Sequence, residues 1–297
     1  MLTPTQYLQG ILTSIAFVLN TVFWTTPLYI LVFLRAVLPI ASFRNWSSEA
    51  MVTLGENWIL SNTRGLALIQ NTKYSVHVPD DLRMDRSYLV MANHQSWVDI
   101  VVLQTIFTRK IPFLRFFLKN ELRYIPLLGG AWKALDFPFM KRHSKTYLEK
   151  HPEKRGEDLA ETKKACDKLA GKNISIINFL EGTRFTPEKH AKQKSAYQHL
   201  LPPKAGGIAF VLQAMGPQFD ALLDVTISYP GGAPSLWEMF TGRLMNVVVW
   251  VDKIQIPKEV LNGDYFGNEA FRKNTQDWLR DIWLAKDQRL QALESKR

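Results

Sequence analysis

Two short runs of polar residues contain the side chains best suited to chemistry. The first, Asn93–Asp99 (NHQSWVD), offers a histidine as a base and an aspartate that can orient it. The second, Phe179–Arg184 (FLEGTR), offers an arginine beside a glycine turn, and arginine can present paired donors to an anion. Together the two runs suggest a phosphorylated alcohol as the class of substrate.

The spacing of His94 and Asp99 restricts how they can meet. On one continuous helix the two side chains would point about 140° apart. They can touch if a turn separates them, with His94 in a loop and Asp99 in the opening turn of the next helix. The carboxylate then accepts from one imidazole nitrogen and leaves the other as a base toward an alcohol. The same spacing also arises by chance, so a purely structural role stays open for this motif alone.

An apolar run precedes each motif and predicts a buried strand, Ser87–Ala92 before the first and Ile174–Phe179 before the second. Polar residues that follow such strands lie at carboxyl ends, where open α/β sheets bind their ligands. Strand-like and helical segments alternate along the chain, which favours an α/β sandwich. The further strand-like segments are 111–118, 135–140, 222–228 and 246–254, and the helical ones are 99–107, 157–170, 208–215 and 268–293.

The composition favours an anionic partner without choosing among lipid headgroups, phosphorylated metabolites, an acidic carrier protein and nucleic acid. The 297 residues carry a net charge of +10 at pH 7, and 46% of them are hydrophobic. Basic residues are interleaved with acidic ones instead of forming a stripe, which argues against a nucleic-acid binder. The histidines show no spacing typical of a zinc or di-iron site, so we expect no metal.

The N-terminal segment has the composition of a membrane helix. No charged side chain occurs from Met1 to Leu34, and the stretch Tyr7–Leu38 is mostly apolar. At about 1.5 Å per residue it is longer than the ~30 Å hydrocarbon core requires. Pro27 should kink or split it near Thr26, which gives either one kinked span or two shorter helices within one leaflet. A cleaved signal peptide and a buried helix of a soluble protein are the alternatives.

These features predict three regions. A membrane anchor covers residues 1–40, an amphipathic connector with the helical pattern Ser47–Leu68 covers 41–71, and a catalytic domain covers 72–297. Positive side chains follow the apolar segment from Arg35 onward, so the positive-inside bias places the catalytic domain in the cytoplasm.

The two motifs, in this order and spacing, resemble the first and third signature blocks of the glycerolipid acyltransferases, the superfamily of 1-acylglycerol-3-phosphate (lysophosphatidic acid) acyltransferases. The similarity extends in weaker form from about Ser87 to Pro230. It implies a mixed central sheet flanked by helices, with N-terminal membrane helices. It also implies that His94 is the general base toward the acceptor hydroxyl and that Asp99 aligns it.

The resemblance further implies a set of substrate-binding residues around the acceptor phosphate. An arginine beside a Gly-Thr turn can present a bidentate fork to phosphate, whereas Glu181 is better suited to orienting Arg184 or a substrate hydroxyl. For Lys119 a solvated surface position is the alternative. The implied substrate-binding residues are Glu181, Gly182, Thr183, Arg184, Lys119 and Arg142.

Two further segments correspond to the second and fourth signature blocks and depart from the common pattern. Phe137–Arg142 lacks the early glycine of the second block, and Asp224–Pro230 lacks the proline-rich core of the fourth. Both are closer to the lysocardiolipin and related lysophospholipid acyltransferases and to their bacterial inner-membrane relatives. The resemblance therefore predicts a bacterial inner-membrane protein and leaves the acceptor open.

The implied reaction moves a fatty acyl group from acyl-CoA or acyl carrier protein to the sn-2 hydroxyl of 1-acylglycerol-3-phosphate, giving phosphatidic acid. Reacylation of a lysocardiolipin-type lysophospholipid is the alternative. We expect no cofactor beside the thioester co-substrate, and membrane lipids, the lysophospholipid and the acyl donor as partners, without nucleic acid. A catalytically silent, membrane-anchored binding protein is a third possibility, against which the presence of His94, Asp99 and Arg184 argues.

Overall fold

The structure, a computed structural model, describes residues 2–140, 167–261 and 263–295. The α-helices of these ranges are α1 (Pro4–Val37), α2 (Ala41–Ile69), α3 (Val98–Phe107), α4 (Leu128–Ala134), α5 (Pro187–Gln193), α6 (Ala205–Met215), α7 (Leu236–Phe240) and α8 (Glu269–Glu294). The strands are β1 (Lys73–His77), β2 (Tyr88–Ala92), β3 (Leu114–Phe116), β4 (Leu118–Lys119), β5 (Phe139–Met140), β6 (Ser175–Phe179), β7 (Ala221–Ser228) and β8 (Asn246–Ile254).

Six of these strands form one mixed sheet in the order β1-β8-β7-β2-β6-β3. Strands β7 and β8 pair antiparallel, and the other neighbours pair parallel. Strands β4 and β5 pair separately. A mixed central sheet flanked by helices confirms the predicted fold class.

The central strands are covered on both faces. Val90 and Ala92 of β2 pack into a core shared with α2 and α3, whereas Leu89 and Met91 pack into a second core with α6 and α8. Successive strand residues point to opposite faces, so a strand buried on both sides is apolar throughout. This explains the uninterrupted apolar runs that predicted β2 and β6.

Short or polar strands were harder to predict than the central ones. The apolar run 111–118 forms β3 and β4 with Phe117 between them, and only the end of 135–140 is a strand. Strand β1 was missed because all five of its residues are exposed and the sequence KYSVH has no apolar pattern. Most of the predicted helix 157–170 lies outside the described residues.

Helix α1 runs unbroken through Pro27, so of the two alternatives near Thr26 the split into two helices is wrong and the single helix is found. Proline removes one main-chain donor, and hydroxyl groups nearby bind main-chain carbonyls of the preceding turn. Thr25 Oγ1 and Thr26 Oγ1 donate to the carbonyls of Thr21 and Val22, each at 2.7 Å. Threonine side chains, like neighbouring helices, help an apolar helix to accommodate proline.

Helices α1 and α2 pack against each other as an antiparallel hairpin. Polar contacts link them, with Asn20 Nδ2 donating to Asn62 Oδ1 at 2.7 Å and Trp24 Nε1 to Ser61 Oγ at 2.9 Å. Within the described ranges α1 is the one helix long and apolar enough to cross a membrane, and 11% of its most apolar 18-residue window is buried. The predicted amphipathic segment Ser47–Leu68 lies within α2.

Candidate active site

The first motif begins where β2 ends. Asn93 is buried, and its side chain pairs with the main chain of β7: Nδ2 donates to Ile227 O at 2.9 Å, and Oδ1 accepts from Ile227 N at 2.8 Å. These two bonds fix the loop to the neighbouring strand. His94 therefore emerges at the carboxyl end of a parallel strand pair, where the sequence placed it.

His94 and Asp99 form a hydrogen-bonded dyad across the turn into α3. His94 Nδ1 lies 2.8 Å from Asp99 Oδ2, and Asp99 is fully buried in the first turn of the helix. The same oxygen accepts the main-chain N–H groups of Gln95 at 2.7 Å and Ser96 at 2.9 Å. The loop thus wraps around the Asp99 carboxylate. The orientation of this carboxylate toward the imidazole is fixed before any substrate binds.

The ring of His94 is held flat and is accessible on one side. It stacks on Phe179 at the end of β6, with centroids 4.0 Å apart and planes 15° apart. Its side chain is 14% exposed. Because Nδ1 is engaged by Asp99, Nε2 is the nitrogen left for an incoming hydroxyl group.

A tyrosine that sequence reasoning did not single out completes the surroundings of Asp99. The hydroxyl of Tyr229, just after β7, donates to Asp99 Oδ1 at 2.6 Å. Burial, followed by the charge and the hydrogen bond of Asp99, raises the pKa of the Tyr229 phenol well above its usual value. The one signal in the sequence was that Tyr229 belongs to the atypical fourth block, Asp224–Pro230.

Glu181 joins the two motifs through the main chain. It is fully buried, and its Oε1 accepts from His94 N at 2.7 Å while its Oε2 accepts from Leu201 N at 3.1 Å. This differs from the expected role of orienting Arg184 or a substrate hydroxyl, because both oxygens are directed at backbone donors. Burial raises the pKa of the Glu181 carboxyl to about 7, although the two main-chain hydrogen bonds act in the opposite direction.

The rest of the second motif forms a turn beside the dyad. Gly182 has a φ of +65°, in the left-handed region that favours glycine. Lys189 of α5 stabilises the turn, since its Nζ donates to Thr183 Oγ1 at 2.9 Å and to Arg184 O at 2.8 Å. Lys189 therefore places a second positive charge close to Arg184, although the sequence analysis did not assign it a role.

Arg184 brings the two motifs into contact. Its guanidinium carbon lies 5.0 Å from the centre of the Trp97 ring, a cation–π arrangement. The next residue, Phe185, donates its N–H to the carbonyl of His94 at 2.7 Å. An exposed guanidinium is thus oriented by an aromatic side chain of the loop that contains the dyad.

The remaining predicted residues are not drawn into this cluster. Lys119 is exposed at the end of β4, and among the described residues no hydrogen bond or ion pair links it to His94, Asp99 or Arg184. Arg142 lies outside the described residues. In the part of the chain with described positions, no three His, Cys, Asp or Glu side chains are grouped as metal ligands would be.

Sequence comparisons place this arrangement among known proteins. The family model described as Acyltransferase matches residues 73–229. An uncharacterised acyltransferase of Saccharomyces cerevisiae is 27% identical over 240 residues, covering 68% of this chain and 58% of that protein. The 1-acyl-sn-glycerol-3-phosphate acyltransferase epsilon of Mus musculus is 24% identical over 227 residues, covering 68% of this chain. The chain spans 56% of the length of the mouse protein.

A solved structure has a similar fold. The 1-acyl-sn-glycerophosphate (LPA) acyltransferase PlsC from Thermotoga maritima superimposes with a TM-score of 0.54 over 97% of this chain and 98% of that chain, at 16% identity. At this identity the likeness shows the fold alone. Because the family model covers more than half of the sequence, the chain belongs to the acyltransferase family.

Proposed function

We propose that the protein transfers a fatty acyl group from an acyl thioester, acyl-CoA or acyl carrier protein, to the sn-2 hydroxyl of 1-acylglycerol-3-phosphate, giving phosphatidic acid. The observation that carries the proposal is that one loop contacts two groups: a histidine 2.8 Å from a buried carboxylate, and an exposed arginine whose guanidinium carbon lies 5.0 Å from the centre of the Trp97 ring. The first suits activation of an alcohol and the second binding of a phosphate. Relatives named 1-acyl-sn-glycerol-3-phosphate acyltransferases support the same reaction.

In this proposal His94 is the general base. As the acceptor oxygen attacks the thioester carbonyl carbon, Nε2 of His94 takes the hydroxyl proton. The tetrahedral intermediate then collapses, the carbon–sulfur bond breaks, and the imidazolium returns its proton to the departing thiolate. Asp99 holds the ring and stabilises the imidazolium between the two transfers. The acyl group passes directly to the acceptor, so no acyl-enzyme forms.

Arg184 is the proposed phosphate ligand. A monoester phosphate offers three terminal oxygens and nearly two negative charges, which suits a bidentate guanidinium. The cation–π contact with Trp97 holds the guanidinium, and the ammonium group of Lys189 adds positive charge at the turn. We propose that Gly182 and Thr183 shape this turn, whereas Glu181 maintains the main chain on which both motifs depend.

A second acceptor class, a lysocardiolipin-type lysophospholipid, is favoured by the atypical second and fourth blocks. Its phosphate is a diester with one charge and a bulky headgroup, so it gains less from Arg184 and needs more room. For this reason we rank 1-acylglycerol-3-phosphate first.

Mass spectrometry of the lipid product tests this ranking. Purified protein is given acyl-CoA or acyl carrier protein with lysophosphatidic acid, lysophosphatidylglycerol, lysophosphatidylethanolamine or lysocardiolipin under matched conditions. The proposal predicts the highest rate with lysophosphatidic acid. A higher rate with a diester acceptor would overturn the ranking but leave the dyad mechanism in place, and the absence of any transfer would favour a silent binding protein.

We also propose that α1 lies along the catalytic domain within one leaflet. Two sites on α1 touch that domain: Gly10 approaches Trp237 of α7, and the Tyr29 hydroxyl donates to Leu127 O at 2.7 Å. The helix rises about 28 Å between them, nearly the thickness of the hydrocarbon core. A spanning α1 would carry these contacts across the bilayer. The predicted bacterial inner membrane, with the catalytic domain on its cytoplasmic side, is part of this proposal.

Cysteine labelling in sealed vesicles tests this topology. In a Cys166→Ser background, Thr5→Cys near the start of α1 and Lys110→Cys on the exposed surface of the catalytic domain are treated with a membrane-impermeant maleimide. Our proposal predicts that both positions are labelled from the same side. Labelling from opposite sides would show that α1 spans the bilayer.

A further inference from the structure

Tyr229 occupies a position that no part of the proposed reaction has yet used. It lies directly after β7 and is 3% exposed, and its hydroxyl donates to Asp99 Oδ1 at 2.6 Å across 130 residues of sequence. The residue therefore reaches the dyad from the neighbouring strand β7 and not from the loop that carries His94.

We propose that Tyr229 is a positioning residue for acyl transfer: its hydroxyl fixes the Asp99 carboxylate and sets how strongly that carboxylate holds a proton on His94. The inference rests on the proposed function. Tyr229 acts through Asp99 and does not itself touch substrate in this proposal.

The distribution of donors around Asp99 supports this role. Oδ2 receives His94 Nδ1 and two N–H groups of the adjoining loop, whereas Oδ1 receives the phenol. The loop donors belong to the same turn into α3 as Asp99 itself. Tyr229 instead follows a strand that pairs on both sides, with β2 and β8. The phenol is thus the donor that ties the carboxylate to the rigid sheet.

The Tyr229 hydroxyl keeps its proton, and so remains a hydrogen-bond donor, throughout the neutral pH range. Burial, and then the charge and the hydrogen bond of Asp99, keep the pKa of Tyr229 high. Each hydrogen bond to the carboxylate withdraws negative charge that would otherwise attract the imidazolium proton. Loss of the phenol should therefore let His94 protonate at a higher pH, and a stronger donor should have the opposite effect.

Other titratable groups face this cluster and must be separated from His94. Glu181, after β6, has a pKa of about 7 and interacts with the charge of Asp99, and Tyr74 of β1 interacts with Tyr229. A pH–rate profile alone could therefore report Glu181 instead of His94. The titration of His94 has to be observed directly.

The experiment compares Tyr229→Phe with Tyr88→Phe. Tyr88 is a matched control, because it is 1% exposed and its hydroxyl accepts the N–H of Arg83 at 3.0 Å, at the opposite end of β2. We expect Tyr229→Phe to lower kcat about tenfold, as loss of a hydrogen bond to a charged group implies. The KM for both substrates should stay unchanged, and Tyr88→Phe should keep wild-type kcat.

Nuclear magnetic resonance of ¹⁵N-labelled histidine measures the second effect without turnover. The His94 signal, assigned by its absence in His94→Asn, should titrate at higher pH in Tyr229→Phe. It should titrate at lower pH when 3-fluorotyrosine, a stronger donor of nearly the same size, replaces Tyr229. This readout also works if the protein proves to have a different reaction, so failure of the inference and failure of the proposed function can be told apart.

Three results would overturn the inference. One is wild-type kcat in Tyr229→Phe, and a second is a His94 titration that neither substitution moves. The third is a parallel loss of activity and thermal stability in Tyr229→Phe and Tyr88→Phe, which would show that removing any buried phenol hydroxyl damages the fold. The fluorotyrosine variant retains the hydroxyl, so it keeps the test decisive if Tyr229→Phe does not fold.

Discussion

Two acid–base pairs lie on the same sheet and differ in what surrounds them. His94 and Asp99 meet at the carboxyl end of β2, and the histidine side chain is 14% exposed. Asp224 of β7 and Lys286 of α8 lie 2.8 Å apart beneath the sheet, with side chains 3% and 0% exposed. Lys286 Nζ also donates to the carbonyl of Val225.

The difference accounts for the roles that we propose for the two pairs, proton transfer for the first and stabilisation of the fold for the second. Lys286 is fully buried, with Asp224 and the carbonyl of Val225 as its partners. Burial lowers the pKa of the lysine and raises the pKa of the Asp224 carboxyl. His94 has one nitrogen bound to Asp99 and one open to solvent. A partly exposed base with an oriented ring can take a proton from a substrate, whereas an enclosed ion pair cannot reach one.

Replacing His94 should separate the two pairs most clearly. We expect His94→Ala to lower the transfer rate about 10²–10⁴-fold, because the acceptor hydroxyl is a poor nucleophile without a positioned base. Thermal stability should change less, since Asp99 keeps its hydrogen bonds from Gln95, Ser96 and Tyr229. His77→Ala, at an exposed histidine of β1, is the control. More than a tenth of wild-type turnover in His94→Ala would remove the residue from the mechanism.

Replacing Lys286 should instead lower the stability of the fold. Lys286→Met leaves the Asp224 carboxyl buried without its partner and should cost about 3–5 kcal/mol of unfolding free energy. The double variant Asp224→Leu/Lys286→Met should regain most of that loss. Denaturant unfolding measures both, with Lys273→Met, at a 75% exposed side chain, as the control. A single variant as stable as wild type would show that the ion pair contributes nothing.

Replacing Arg184 should have a smaller effect, limited to the KM of one substrate. Arg184→Lys keeps the charge but loses the bidentate fork, so the KM for lysophosphatidic acid should rise about tenfold. The KM for the acyl donor should remain unchanged. Steady-state kinetics with each substrate varied in turn measures the two values. Equal increases for both substrates would indicate that Arg184 has a structural role.

A different kind of effect, on stability and not on rate, is expected from the pH dependence of Glu181. Its carboxyl has a usual pKa of 4.5 and a pKa of about 7 in the folded protein, so the folded state binds more protons between these values. Stability should therefore fall as the pH rises through this window, by at most about 3 kcal/mol. Glu181→Gln should flatten the dependence in unfolding experiments at the two ends of the window. The same slope in both proteins would contradict this assignment.

Local sequence patterns predicted the elements that present the dyad. The apolar runs before His94 and Glu181 indicated β2 and β6, and the spacing to Asp99 indicated a turn into a helix. Tyr229 and the role of Glu181 could not be predicted, because both depend on strands paired far apart in sequence. The choice between one span and two helices around Pro27 could not be made from the sequence, because proline usually ends a helix and the compensating threonine hydroxyls show only in the structure.

Direct acyl transfer to a lysophospholipid hydroxyl, without an acylated protein, is the step of the proposed reaction that can be observed most directly. Wild-type protein is mixed with an isotopically labelled acyl thioester and lysophosphatidic acid, and lipid products and the intact protein are followed together by time-resolved mass spectrometry. We expect labelled phosphatidic acid, with the protein mass unchanged throughout. An acylated protein that forms and decays at the rate of product formation would contradict direct transfer.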